Sequence, residues 1–420
     1  MEISVGRIAM QVIGIIAEYN PFHHGHRFQI DAVRQRFPNA RIIAVMSGSF
    51  TQRGEPCILD KWTRARHAVL GGVDLVLEHP FVFACRSAQD FARGSIVLLT
   101  RLGIITHLAF GTEAEVLSPL AELAAAIDSE AIQIRLSEKL RSGHSYARAL
   151  TNVLTEERNV PEEMLRAPNN ILAIEYLRAL HSLAPQITPI AIRRAAARHN
   201  DMRLQHGITS ASSIRKALGE PRPSWTNLRE SVMLSVLDDL QSAHTTGIPR
   251  EDTLLTLLHY FLLVTDSSAL VEIYGIAEGI ENRLIRSIKT ATDYRGFLRT
   301  VATKRYPQSR IARLIIHLLL HFTRQQAESF DTAGAAYIRP LAFNAYGRAL
   351  LRMIKEESTL PIITRVAEYL SSEERGIAAG HVPLQQMLAF DTRATELRLM
   401  TMTAHDKQYT DFVTSPKVLS

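Results

Sequence analysis

The sequence predicts an α/β protein with a doubly wound, parallel-sheet N-terminal domain followed by a mainly α-helical C-terminal part. Three observations carry that expectation. Short β-branched runs such as Val12–Ala17 (VIGIIA) end at once in loops bearing Gly and Pro, as buried parallel strands do. Amphipathic stretches alternate with those runs. After about Ser118 the composition shifts to Ala, Leu, Glu and Arg at helical spacing, as in PLAELAAAIDSEAIQIRLSEKL.

Taken in order, Val12–Ala17 is the first expected strand, and the turn-rich segment EYNPFHHGH leads from it into a helix over 25–36 that Pro38 stops. Ile42–Met46 is the second strand, followed by the loop SGSFTQRGEP. A helix over Lys61–Leu70, a strand around Val73–Leu77 and a later strand over Ile105–Phe110 continue the alternation. Helices then dominate, with a helical insertion over about 118–185. Thr188–Ala197 reads as a last strand, and Ile208–Leu218 reads as a Ser/Thr-rich loop capping a helix. Gly and Pro cluster at 219–223. The expected division is therefore a catalytic domain over 10–220 and a helical, basic domain over 221–420.

With 420 residues, 46% of them hydrophobic, the chain can bury a sizeable core and is not a disordered polymer. Its net charge of +6 favours anionic partners such as nucleotides and RNA without resembling a histone-like polycation. Cys57 and Cys85 stand in no paired spacing, so neither a zinc site nor a redox pair is expected, and no protein-ligated metal. The apolar run at the N-terminus is interrupted by Glu18 well short of a signal peptide or membrane span. A cytoplasmic, monomeric protein without membrane contact is the resulting expectation. Met10, directly before the first strand, is a second candidate start.

The sharpest chemical feature is His23-His24-Gly25-His26, between a strand and a helix. Free amides and the dipole of a helix N-terminus attract phosphate, Gly25 allows close approach, and His23 and His26, one turn apart, share a face. Fixed donors there would stabilise charge growing on an α-phosphate. A second cluster, Ser210, Ser212, Ser213 and Arg215, offers hydroxyls and a guanidinium at another helix N-terminus, suited to β and γ phosphates or simply capping the helix. Arg53, Lys61, Arg64 and Arg66 are placed to line the mouth of such a site or to be solvated. Asn169 and Asn170 follow Pro168 and suit a ribose contact or a cap.

Between Asn282 and Arg313 lie Arg283, Arg286, Lys289, Arg295, Arg299, Lys304, Arg305, Arg310 and Arg313, opposed only by Asp293. Tyr294, Phe297 and Tyr306 are interleaved. That pattern suits RNA phosphate contacts with aromatic stacking, or a solvated helix face. Lys304, Arg305, Arg310 and Arg313 are the candidate RNA contacts.

The chain resembles the tRNA(Met) cytidine acetate ligases, a branch of the HxGH nucleotidylyltransferase superfamily. The matching segments are GIIAEYNPFHHGH, VMSGSFTQRGEP, DKWTRARHA, GVDLVLEHPF, FGTE, PNNILAIEYL, ITSASSIRK, KRYPQSRIARLIIHLLL and DTRATEL, spread over nearly the whole length. The resemblance implies activation of acetate by ATP, with Mg²⁺, to acetyl-adenylate, and transfer of acetyl to N4 of the wobble cytidine of elongator tRNA(Met). It also implies a nucleotide site comprising Ile16, Ala17, Glu18, Tyr19, Asn20, Pro21, Phe22, His23, His24, Gly25, His26, Arg27, Phe28 and Gln29, then Gly111, Asn169, Arg194 and Ala195. Joined to the residue reading, His23 and His26 would stabilise the α-phosphate while Ser210 and Arg215 hold the leaving pyrophosphate. Two departures stand out: Glu78-His79-Pro80 where the family reads ELP, and Arg198-His199-Asn200 where it reads YHD. Two rivals stay open. A small-molecule adenylyltransferase of the pantetheine phosphate or nicotinamide mononucleotide type would leave the basic helical part unexplained. A non-enzymatic RNA-binding protein would not need His23, Gly25, His26 and Arg215.

Overall fold

The computed structural model describes residues 10–114, 116–158, 164–165, 167–193, 210–371, 382–402 and 410–420. Five strands run parallel: β1 (Val12–Ala17), β2 (Arg41–Ser47), β3 (Leu75–His79), β4 (His107–Thr112) and β5 (Thr188–Arg193). Alternate residues face opposite sides, and both sides are covered, which is why these strands are apolar throughout. Ile13, Ile15, Ile42 and Ala44 enter one core. It also holds Ile30 and Val33 of α1 (His24–Arg36) and Trp62 of α2 (Lys61–Leu70). Val12, Ile43, Val45, Leu75 and Leu108 enter another core, against α4 (Ala88–Arg101) and the helix Pro168–Leu183. The short α3 (Phe81–Ala84) lies between β3 and α4.

The strand order is β5-β4-β1-β2-β3-β6-β7. From β1 the chain proceeds to β2 and β3 on one side, then returns to lay β4 against the other side of β1. The direction of winding therefore reverses between β1 and β4, the place where open α/β sheets bind ligands at their strands' carboxyl ends.

The last two strands come from the chain after residue 221, the part expected to be mainly helical. β6 (Pro340–Phe343) pairs antiparallel with β3, and β7 (Lys417–Val418) adds to β6. Runs of four and two residues are too short to leave a period in the sequence. Phe50, Phe81, Val82, Phe83 and Cys85 share one core with helices between 254 and 397.

Lys61 and Arg64, expected at the mouth of a site, are instead wholly buried. Lys61 Nζ lies 2.7 Å from Glu78 Oε1 and 2.5 Å from Asp411 Oδ1. Arg339 closes the network with Nη1 2.9 Å from Glu78 and Nη2 2.5 Å from Asp411. Arg64 donates to the carbonyls of Glu18, Ser47, Gly48 and Leu59. Arg66 pairs with Asp239. The physical reason is spacing: on α2, positions 61, 64, 65 and 68 share the face turned to the protein interior.

Asp391 joins this buried cluster, accepting from the Phe81 amide at 2.7 Å and from the Tyr337 hydroxyl. Burial, helped by the nearby Glu78, pushes its carboxyl up from the ordinary 3.8 to about 7, against the pull of Lys61 and Arg339. Its folded value lies above its unfolded one, so its stabilising contribution is complete below the unfolded value and lost as pH rises through about 7. Asp391→Asn is expected to gain on the wild type in urea unfolding as pH is raised across this window, by up to about 4 kcal/mol. A gap that stays constant with pH would show that Asp391 does not titrate there.

Candidate active site

The chain leaves β1 through a tight loop in which Tyr19 holds a left-handed φ of 47°, and enters α1 at His23. His23 caps the helix. Its Nδ1 accepts from the Gly25 amide at 3.0 Å, while Nδ1 of His26 accepts from the His23 amide at 3.2 Å. The two rings stack with centroids 3.7 Å apart. Because both Nδ1 lone pairs are used as acceptors, each neutral ring carries its proton on Nε2 and is a donor there. A histidine-based capping box thus fixes both tautomers at a helix N-terminus, which suits an anion.

Around this turn opens a cavity of about 910 Å³. Ile16 to Glu18 from the end of β1, and Phe110 and Gly111 from the end of β4, place it at the reversal point of the sheet. Its volume is near the upper end of the roughly 300–1,000 Å³ usual for small-molecule sites. Of the candidate nucleotide stretch, Ile16, Ala17, Glu18, Tyr19, Asn20, His23, Gly25, His26, Phe28 and Gln29 lie on the wall, as do Gly111 and Asn169. Pro21, Phe22, His24 and Arg27 do not. Phe22 is buried in the core beneath the turn, Arg27 pairs with Asp31 outside, and the His24 amide donates to Ser231 O. Arg194 and Ala195 lie outside the described residues, as do Arg198, His199 and Asn200; Arg193 beside them reaches the wall.

A second helix, Ala211–Leu218, also presents its N-terminus to the cavity. Ser210 is both its cap, accepting from the Ser213 amide at 3.1 Å, and a wall residue. Arg215 donates to Asn20 O at 2.9 Å and to Glu55 Oε2 at 2.8 Å, which holds its guanidinium beside the β1–α1 turn. Asn20 accepts from the Ile58 amide through Oδ1, and its Nδ2, sealed from the cavity, has no hydrogen-bond partner among the described residues. Asn170 is spent on structure, with Oδ1 accepting from Thr112 Oγ1 and the Glu113 amide; Asn169 donates to Glu113 from the wall.

The loop after β2 forms another part of the wall through Gln52, Arg53 and Glu55. It is clamped from several sides. A Cβ on Gly48 would lie 2.4 Å from Glu78 Oε1, and one on Gly54 would lie 2.7 Å from the backbone nitrogen of Arg313. Thr395 meets Ser49 Oγ at 3.0 Å, and Arg398 donates to the carbonyls of Cys57 and Ile58. Thr395 belongs to the DTRATEL segment, which thus acts on the site through this loop.

The basic run divides into three. Arg305, Arg310 and Arg313 reach the cavity wall, from the segment around the helix Gln308–Leu320; Lys304, Arg286, Lys289, Arg295 and Arg299 are exposed and off it; Arg283 is half-buried and donates to Thr300 O. Tyr294, Phe297 and Tyr306 cannot stack on bases, because all three are buried in the helical core. Tyr306 instead lies under the Arg310 guanidinium, 3.9 Å from it. Arg313 donates to Gln52 O at 3.3 Å and has no carboxylate partner among the described residues. His79, the departure beside Glu78, is off the wall. It is packed against Phe83 with Nε2 3.0 Å from Ser95 Oγ, and burial drives its pKa down to about 3.

The family described as HIGH Nucleotidyl Transferase matches residues 10–411. A tRNA(Met) cytidine acetate ligase of Thermoanaerobacter sp. (strain X514) is 38% identical over 366 residues, covering 86% of this chain and 90% of that protein. The chain belongs to this ligase family. A second member, from Syntrophomonas wolfei subsp. wolfei, is 34% identical over 417 residues, 97% of this chain and 99% of the relative. The crystal structure of Thermotoga maritima TmcAL in its apo form superposes with a TM-score of 0.86 at 29% identity, covering 98% of this chain and 100% of that one. The same enzyme bound with alpha-thio ATP superposes equally well. The doubly wound sheet expected from the sequence is thus the fold of this ligase family.

No described helix is long and apolar enough to cross a membrane, and no group of three or more metal-ligating side chains occurs among the described residues. The polar groups on the wall fit ATP: two helix N-termini, two Nε2 donors and Arg215. Sequence reasoning missed the wall residues Ser87–Phe91 and Tyr274, which stand in no recognisable chemical motif and reach the cavity only through the fold.

Proposed function

We propose that this chain activates acetate with ATP to acetyl-adenylate, releasing pyrophosphate, and then transfers the acetyl group to N4 of the wobble cytidine of elongator tRNA(Met). The observation that carries this reading is the meeting, in one cavity, of the His23–His26 turn, the helix headed by Ser210 with its Arg215, and arginines from the helix Gln308–Leu320. A small-molecule adenylyltransferase would need only the first two. The names of the relatives support the substrate.

Acetate is ionised at neutral pH, so the first step needs no base. Acetate oxygen attacks the α-phosphorus, and Nε2–H of His23 and His26 meets the charge that gathers on the non-bridging oxygens. Arg215 and Ser210 hold the leaving pyrophosphate. Mg²⁺ would arrive on the triphosphate, since it is commonly held by phosphates and one or two carboxylates. For the second step the wobble base leaves its stack and enters the cavity, where Arg310 and Arg313, with Arg305 held between Glu278 and Leu140 O, would meet its phosphates; Lys304 would meet RNA outside.

The test incubates the purified protein with ATP, labelled acetate and bulk tRNA, then digests the RNA. Label is expected in N4-acetylcytidine, with pyrophosphate released only when acetate is present. Label that appears only when acetyl-coenzyme A replaces acetate and ATP would overturn the reading.

A further inference from the structure

The second step must release a proton, and the first gives no indication of what takes it. Four carboxylates stand on the described cavity wall: Glu18, Glu55, Asp90 and Glu175. Three are committed to cations. Glu55 lies 2.8 Å from Arg215, Asp90 lies 3.2 Å from Arg86, and Glu175 lies 2.8 Å from Arg178. Glu18 makes no ion pair with a described residue. Its Oε1 accepts from the Gln52 amide at 2.6 Å, Oε2 has no hydrogen-bond partner among the described residues, and Glu18 itself lines the cavity at the end of β1.

The other titratable wall groups are poor proton acceptors. Nδ1 of His23 and of His26 is occupied by a backbone amide. Both ring nitrogens of His317 sit against carbonyls, those of Tyr274 and Cys85, and burial draws its pKa down to about 4. Burial drives the Tyr19 and Tyr176 hydroxyls far above neutrality. Around Glu18 stand Glu55 and Arg53 from the loop after β2, and Arg215 from the helix Ala211–Leu218. Burial raises the Glu18 carboxyl above its usual range, the Gln52 amide and both arginines draw it down, and Glu55 adds to the rise. The net shift is upward, toward the neutral range where a general base works best.

We propose that Glu18 is the general base of the acetyl-transfer step, an assignment that rests on the ligase reading above. The cytosine N4 lone pair forms a bond to the acetyl carbonyl carbon of the mixed anhydride. The carbonyl π pair moves to oxygen and then re-forms the carbonyl while the bond from carbon to the phosphate oxygen breaks, its electron pair leaving on AMP. The N4 proton passes to Glu18 Oε2 and then to water. Acetyl-adenylate and cytidine become N4-acetylcytidine, AMP and one proton.

Glu18→Gln keeps an acceptor for the Gln52 amide and removes the base. Two rates are compared: acetate-dependent exchange of pyrophosphate into ATP, and single-turnover transfer to tRNA from protein preloaded with acetyl-adenylate. The ratio of transfer to exchange is expected to fall about 10²-fold or more. Wild-type transfer rises with pH to a plateau, the residual rate of Glu18→Gln is flat, and Glu18→Asp retains the pH dependence at a lower rate. Equal losses in both rates would overturn the assignment and make Glu18 a nucleotide or magnesium ligand; an unchanged ratio would overturn it outright. Wild-type protein that exchanges no pyrophosphate in the presence of acetate would instead sink the ligase reading, before any variant is compared.

Discussion

His26→Ala is expected to lower acetate-dependent pyrophosphate exchange by about 10²–10³-fold, the usual cost of removing one preorganised donor from a developing anion, while tRNA retention stays near that of the wild type. The ring also has a structural duty, since its Nδ1 accepts from the His23 amide. Loss of a cap costs about 1 kcal/mol of stability, against the roughly 2.7–4 kcal/mol of barrier that the donor supplies. The catalytic effect should therefore dominate in any protein that remains folded. His26→Asn separates the two duties, because its side-chain oxygen can still accept from His23 while its amide stops short of the position of Nε2. Its thermal midpoint should return toward that of the wild type with exchange still low. Near-normal exchange in His26→Ala would remove the imidazole from the chemistry.

The legibility of this site followed the range over which its physics acts. The turn from β1 into α1 is local, and a short apolar run followed by Pro, Gly and two histidines one turn apart leaves little else for the chain to do there. Ser210 is legible for the same reason: a hydroxyl before a short helix is a cap wherever the helix sits. Lys61 and Arg64 were not. Their charge marks them as surface residues, and only Glu78, Asp411 and a row of backbone carbonyls, brought together by the fold, make their burial tolerable. The basic run misleads in a related way. The interleaved Tyr294 and Phe297, read from the sequence as candidates to stack on bases, occupy the inward stripe of the helix Tyr294–Val301, an amphipathic pattern that a count of aromatics among arginines does not resolve. Glu18 could be placed in the nucleotide stretch by resemblance alone; its distinction from the other wall carboxylates appears only when each ion pair is assigned.

The buried network should produce the largest change in stability. Lys61→Met removes one of two cations that hold Glu78 and Asp411 and leaves the volume nearly filled, so its cost is electrostatic rather than a cavity. Breaking a buried pair from one side typically costs about 3–5 kcal/mol, because a carboxylate is left in the interior without its counter-charge. Arg339 still bridges both acids, which places the expectation at the lower end of that range. Removing one negative charge as well should restore balance, so Lys61→Met/Glu78→Gln is expected to recover part of the loss, measured as unfolding midpoints in urea. A single-variant loss below about 1 kcal/mol, or a double variant weaker than the sum of its parts, would mean that the network is not ionised as drawn. The effect should extend to catalysis in the folded protein. Glu78 lies against Gly48 at the root of the loop whose Gln52 amide holds Glu18, so a network that relaxes releases the loop and, with it, the carboxylate proposed as the base.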